Sequence, residues 1–579
     1  IGGGFSAEMI VDQLWAYSDV PEWGALLSNL RETARAYPWT ALYPGLAFFG
    51  AILGFNLFGE GLRRLVDQIG LNVSRLVNRY TVLVLVLVLV GGRWAEDNLG
   101  SVAVYRRQAA QFSGAAALAQ AQALTAPEIQ GRALGSPGAE AAAQYIADQF
   151  HDLGLQAAGE GFTYFQNQTR SYLGLDAVPS LALDDGGPEA VYRQDYAEYA
   201  AAFSTAGLAE GPVRFLAFGD LTEAPGSFGP RHSYLALRHA DFTGQVVLVL
   251  SEEQAQLLER VTVGGILIVA PDAQVLQRRR TLSPRSPMSV GYAQPAGGRP
   301  VLRVSEALAD RLLAGSGETV AGLRARAEGL GLDEVLDLPL GTQARVRVPA
   351  TVQERVPALN VIGHLPGVSA EYDSGLIVVL AQYDGPPLGP GEEHYPGASA
   401  NAAGVATLLE IIRTFRDSGY QPYKTFLFVA YSGEGYGPLG AVYPPVVKDL
   451  LTAKAGFSNA FQIEAVVDLR ALGAGEGDGL VIATGGNRRL AEEFETAARQ
   501  TGVATTRARE QAELLLSFDD DAPTAPSRGP SPLSIGWDGA AALAGMPTDT
   551  AAALSADKLE RAGRAIALAL MKMGRDTSQ

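Results

Sequence analysis

Cysteine is absent from this 579-residue chain, which excludes a disulfide framework, a thiolate metal site and a cysteine nucleophile. Lysine is almost missing as well, at positions 424, 448, 454, 558 and 572 only, a bias attributable to genomic base composition rather than to function. Positive charge is in the minority. With 45 basic against 62 acidic residues the net charge is −17, and no basic face is available to grip nucleic acid. Histidine is scarce too: His151, His232, His239, His364 and His394 are the full set, and none follows position 394. Charged residues make up 18% and hydrophobic ones 47%, too apolar for a disordered chain and too polar for a membrane bundle throughout. A small membrane part with a large soluble part fits, and the length suggests three or four domains. No charged stretch precedes an apolar run at the start, which predicts no signal peptide there and a natural chain that extends upstream.

What is present begins with two apolar stretches. Residues 39–58 (WTALYPGLAFFGAILGFNLF) carry no charge and as a helix would reach about 30 Å, one hydrocarbon thickness. Residues 80–92 (YTVLVLVLVLVGG) would reach about 20 Å, enough to cross if Arg75 and Arg79 snorkel to one interface while Trp94 sits at the other; the Val/Leu alternation also suits a strand. Arg63, Arg64, Arg75 and Arg79 lie between the two, so the positive-inside rule puts this connection in the cytoplasm and everything after Trp94 outside.

The run Pro21-Glu22-Trp23-Gly24-Ala25, Pro38-Trp39, Tyr43-Pro44-Gly45-Leu46-Ala47, Phe55-Asn56-Leu57 and Gly59-Glu60-Gly61-Leu62-Arg63 resembles the last part of the inner-membrane permease of bacterial dipeptide and oligopeptide ABC importers, over residues 8–68. The earlier helices and the loop that meets the ATPase have no counterpart, so transport by this chain alone is not expected. The expected organisation is a permease-like segment over 1–70 with its membrane helix at 39–58, and a second membrane segment near 80–94 within 71–100. An alanine-rich stalk over 101–123, the start of a globular domain over 124–189, a β-rich insert over 190–345 and the core over 346–579 complete it.

In that core, apolar strands at 358–365, 375–382, 425–431 and 463–469 alternate with helical periodicity, which argues for an α/β layered sheet covered on both faces. Ligand sites of such sheets lie beyond the carboxyl ends of strands, and those ends carry Gln382-Tyr383-Asp384, Ser432-Gly433-Glu434-Gly435 and Asp468. Landmarks such as Gly131-Arg132, Gly135-Ser136-Pro137-Gly138 and Tyr164-Phe165-Gln166, with those strand ends, resemble the secreted zinc aminopeptidases of the transferrin-receptor-like superfamily over 124–575. Asp241-Phe242-Thr243-Gly244-Gln245 before an apolar run and Val263-Gly264-Gly265 before another resemble the protease-associated domain inserted in such peptidases, acting as a lid or as a structural insert.

The resemblance implies a damaged metal site. Where the family has His-x-Asp, the chain reads Gln382-Tyr383-Asp384; where it has a metal-bridging Asp, Ala400 stands; where it has Glu-Glu, Glu434-Gly435 keeps the base and loses the ligand. Asp468 matches a ligand position, and the final histidine aligns with Pro530 or Asp538. Glu434 and Asp384 are thus vestigial catalytic positions, Asp468 and Asp538 residual ligand positions, and Gln382, Ala400 and Gly435 degenerate ones. A catalytic zinc needs three protein ligands and an activated water, which this set does not supply. Two rescues stay open: His394 as a replacement ligand, and Asp519-Asp520-Asp521 as a calcium site.

The expectation is a bacterial cell-membrane protein with its large C-terminal domain outside the cytoplasm, a binding or scaffold subunit of a membrane complex, with peptides as further ligands and no cofactor. The alternatives are an active metallo-aminopeptidase holding zinc in an atypical site and a permease component of a peptide importer.

Overall fold

The computed structural model describes residues 49–50, 52–61, 83–88, 91–92, 100–199, 206–218, 240–258, 261–278, 298–331, 334–390, 394–433, 462–484, 487–508 and 533–577. Residues 49–50 and 52–61 are helical, as are 83–88 and 91–92, so the described part of the second apolar stretch takes the helical alternative. Among the described residues no helix is long and apolar enough to cross a membrane. Much of the two expected membrane segments, 39–48 included, lies outside the described residues.

The main body is a nine-stranded sheet. Strands β1 (Gln156–Ala157), β10 (Ala350–Leu365), β12 (Thr425–Tyr431), β11 (Gly375–Gln382), β13 (Gln462–Leu469), β16 (Leu533–Trp537), β14 (Gly479–Thr484) and β15 (Ala504–Arg507) lie in that order, and β2 (Phe165–Leu175) pairs with the first half of β10. Strands β12, β11, β13 and β16 are mutually parallel, so their carboxyl ends share one edge of the body. β12 is buried at every position and β11 at all but its last, the consequence of an apolar run covered on both faces.

Helices α1 (Ser101–Ala109), α2 (Gly114–Leu124), α3 (Pro137–Asp152), α5 (Ala403–Asp417), α6 (Arg488–Gln500) and α7 (Ala556–Gly574) pack with this sheet into one apolar core. Local chemistry starts them: Ser136 accepts from the Ala139 N–H with Pro137 at the first turn of α3, and Ser555 accepts from the Lys558 N–H at α7. The stretch expected as a stalk is different in kind. It forms α1 and α2, whose Ala109, Phe112, Ala117, Ala121 and Leu124 are buried in the main core against α5 and α7. Small side chains that read as featureless in sequence are what let these helices approach closely.

The insert has its own seven-stranded sheet, in the order β3 (Ser180–Leu183), β9 (Val335–Val348), β5 (Gly207–Phe218), β6 (Asp241–Val249), β7 (Thr262–Val269), β8 (Val301–Val304) and β4 (Tyr196–Glu198), with helix α4 (Glu306–Leu313) against it. It therefore draws on residues from 180 to 348. Arg278 of the insert donates to the Ala542 carbonyl at 3.0 Å. Ala542 follows β16, which runs parallel to β13, so the insert is tied to the end of the body where the parallel strands finish.

Candidate functional site

Beyond the ends of β11, β12 and β13 the chain brings together Gln382, Asp384, Gly433, Tyr431, Asp468 and Arg470. Asp384 is fully buried. The Gln382 Nε2 donates to its Oδ1 at 3.0 Å and the Gly433 N–H to its Oδ2 at 2.9 Å. Gly433 has φ +89°, and a Cβ there would lie 2.9 Å from the Arg170 Cγ and 3.0 Å from its Nε. Only glycine permits that backbone conformation together with so close an arginine. Burial pulls the Arg170 guanidinium below its ordinary pKa, and the Asp384 charge opposes the shift.

Asp468 is also fully buried, and its partners are not those of a metal ligand waiting for an ion. The Arg470 Nε donates to its Oδ2 at 2.5 Å, the Tyr431 hydroxyl to the same oxygen at 3.1 Å, and the Arg470 Nη2 to the Tyr431 hydroxyl oxygen at 2.9 Å. Guanidinium, phenol and carboxylate thus close a three-membered ring of contacts.

A third layer lies beneath. Arg132 is fully buried, donating through Nε to the Tyr383 carbonyl at 2.6 Å, through Nη2 to the carbonyls of Pro396 at 2.8 Å and Gly397 at 3.1 Å, and through Nη1 to that of Leu124. Desolvation lowers its pKa to about 10, with Asp384 and Asp549 holding it up against that cost. Asp549 accepts from the N–H groups of Ser399 at 2.7 Å and Ala400 at 3.0 Å, and its pKa is raised chiefly by burial. Gly404 lets the start of α5 meet β13: a Cβ there would be 2.4 Å from the Leu469 carbonyl oxygen.

Of the positions expected from sequence, Gln382, Asp384 and Asp468 gather here, and Ala400 lies on the adjoining turn with its backbone held by Asp549. Asp538 does not join them. Asp468 is in register with Ser534 of β16, and Asp538 follows the end of that strand as an exposed turn residue. His394 is exposed and belongs to no cluster; among the described residues no group of three or more His, Asp or Glu could hold a metal ion. Glu434, Gly435, Pro530 and Asp519 to Asp521 lie outside the described residues.

Sequence reasoning missed Arg170, Arg470, Tyr431 and Asp549, and read Arg132 only as a landmark. Arg470 had a signal, since residues two apart at a strand end share a face with Asp468. Arg132 had none, because its acceptors at 383, 396 and 397 are some 250 or more positions away.

The zinc implied by the sequence resemblance does not fit the described donors. The Gln382 amide is spent on Asp384, Ala400 has no donor atom, and Asp468 is occupied by Arg470 and Tyr431.

Comparison with known proteins completes the picture. Residues 360–570 match the model of Peptidase family M28. They form an aminopeptidase-like M28 domain. The fold agrees: an aminopeptidase from Aneurinibacillus sp. strain AM-1 superposes with a TM-score of 0.51 at 16% identity, over 81% of this chain and 96% of that one. A Peptidase M28 precursor from Shewanella amazonensis SB2B superposes with 0.52 at 14% identity, over 82% and 98%. Apart from the M28 domain, a short stretch is 44% identical over 54 residues to the dipeptide transport system permease protein DppC of Alkalihalophilus pseudofirmus. That match is 9% of this chain, which spans only 18% of the length of that relative.

Proposed function

We propose that the chain is a membrane-anchored protein of the bacterial cell membrane whose M28 domain lies outside the cytoplasm. There it serves as a binding or scaffold subunit of a membrane complex and does not hydrolyse peptides. The observation that carries this reading is the donor set: an amide committed to Asp384 at Gln382 and a methyl group at Ala400, where the resembled enzymes place ligands. Without a metal ion to lower the pKa of the attacking water, a glutamate at position 434 is far too weak a base to deprotonate it, and positioning alone does not offset that mismatch. The insert supports a binding role, because Arg278 ties it to the site end of the sheet.

The test is elemental analysis of the purified chain, followed by an aminopeptidase assay with added zinc, cobalt or manganese, alongside Glu434→Gln. No stoichiometric zinc and no metal-dependent turnover are expected. Turnover that disappears in Glu434→Gln would replace this reading with the active metallo-aminopeptidase.

The permease match favours a second reading, a component of a peptide importer, since the matched relatives are named for dipeptide and glutathione transport. An ATPase co-purifying from detergent-solubilised membranes would support it over the first.

A further inference from the structure

A fully buried carboxylate with no counter-charge is costly, and Asp468 meets that demand inside the chain. Its guanidinium partner is placed between it and solvent: Asp468 is 0% exposed while the Arg470 side chain is 32% exposed. The Arg470 Nε and the Tyr431 hydroxyl both donate to Oδ2, and the same hydroxyl lies 3.4 Å from Oδ1. The same balance extends across the site. Among the described residues, three carboxylates, Asp384, Asp468 and Asp549, stand with three guanidinium groups, Arg132, Arg170 and Arg470, linked by the contacts and charge interactions described above. A divalent ion entering that network would bring two uncompensated positive charges into a largely desolvated place.

We propose that Arg470 is the chain's own replacement for a metal ion at Asp468, a covalently tethered cation that keeps the site charge-balanced and closed to divalent metals. The inference rests on the metal-free reading above and adds a residue and a cause to it. Removing Arg470 leaves Asp468 buried with the neutral Tyr431 hydroxyl but without its guanidinium partner, and a cation from solution could replace the lost charge.

The experiment follows the unfolding of the full chain in detergent, with and without added Mn2+ or Zn2+. Arg470→Ala is expected to shift the unfolding equilibrium by roughly a hundredfold or more toward the unfolded state. Added divalent cation should raise its melting temperature and leave that of the wild type unchanged. Arg470→Lys, which keeps the charge, should lose less and gain no response to the cation. Should Arg470→Ala fail to fold, the double variant Asp468→Asn with Arg470→Ala decides, because it removes both charges: recovery of folding without a cation response supports the proposal. A double variant as unstable as the single one overturns it, since Arg470 would then matter for packing and not for charge. Arg470→Ala melting like the wild type, or showing no cation response when folded, overturns it as well and leaves the metal-free reading standing. Stoichiometric zinc in the wild type overturns both.

Discussion

Arg132 holds more of the site in place than any carboxylate does. It reaches four carbonyls, those of Leu124, Tyr383, Pro396 and Gly397, and so joins the end of α2, the end of β11 and the turn that opens α5. Replacing it by Met would leave those carbonyls without their donor and take one of its guanidinium neighbours from Asp384 and the guanidinium opposite Asp549. A loss of about 3–5 kcal/mol is expected, as for the breaking of other buried ionic pairs, read from chemical denaturation. Arg132→Lys should recover little of it, because an ammonium presents its donors from one point while these acceptors lie around a planar fork. A Lys variant as stable as the wild type would show that charge alone is what the position requires. Sequence showed this residue only in the Gly131-Arg132 landmark of the family resemblance, and its acceptors at 383, 396 and 397 are distant in the chain and invisible to any local pattern.

Among the elements, the strands were legible because β11 and β12 are unbroken apolar runs with polar residues after their last positions, and helix α7 because its buried face repeats at helical spacing. The helical character of 101–123 was legible too, but the docking of α1 and α2 was not, since alanine-rich segments have no strong apolar stripe to announce a buried face. Their docking depends on a partner 450 residues away: Gly563 of α7 lies against Phe112, and a Cβ there would sit 2.1 Å from the ring. Phe112 is itself buried, with little room to move. Gly563→Ala is expected to cost about 1–3 kcal/mol by overpacking, measured by thermal or chemical unfolding. Phe112→Leu in the same chain should return part of it, and a Gly563→Ala variant with unchanged stability would mean that α2 and α7 slide apart freely.

For the whole molecule, the proposed topology, in which the M28 domain and its insert face outward, rests on the arginines at 63, 64, 75 and 79 between two apolar stretches. Protease added to intact spheroplasts should release a soluble fragment comprising most of the chain, and a fully protected chain would overturn that arrangement. The sequence by itself determined the layered α/β class and the strand ends where a site must lie, because periodicity and residue chemistry are local properties; that Gln382, Ala400 and Gly435 stand at ligand positions is what the family resemblance implies. Only the tertiary structure decided what became of the remaining carboxylates. That Asp468 is covered by Arg470 and Tyr431, that Arg132 lies under Asp384 and Asp549, and that Asp538 falls on an exposed turn after β16 all depend on strand register and on contacts across hundreds of residues. Such contacts arise from packing, which no window of the chain contains.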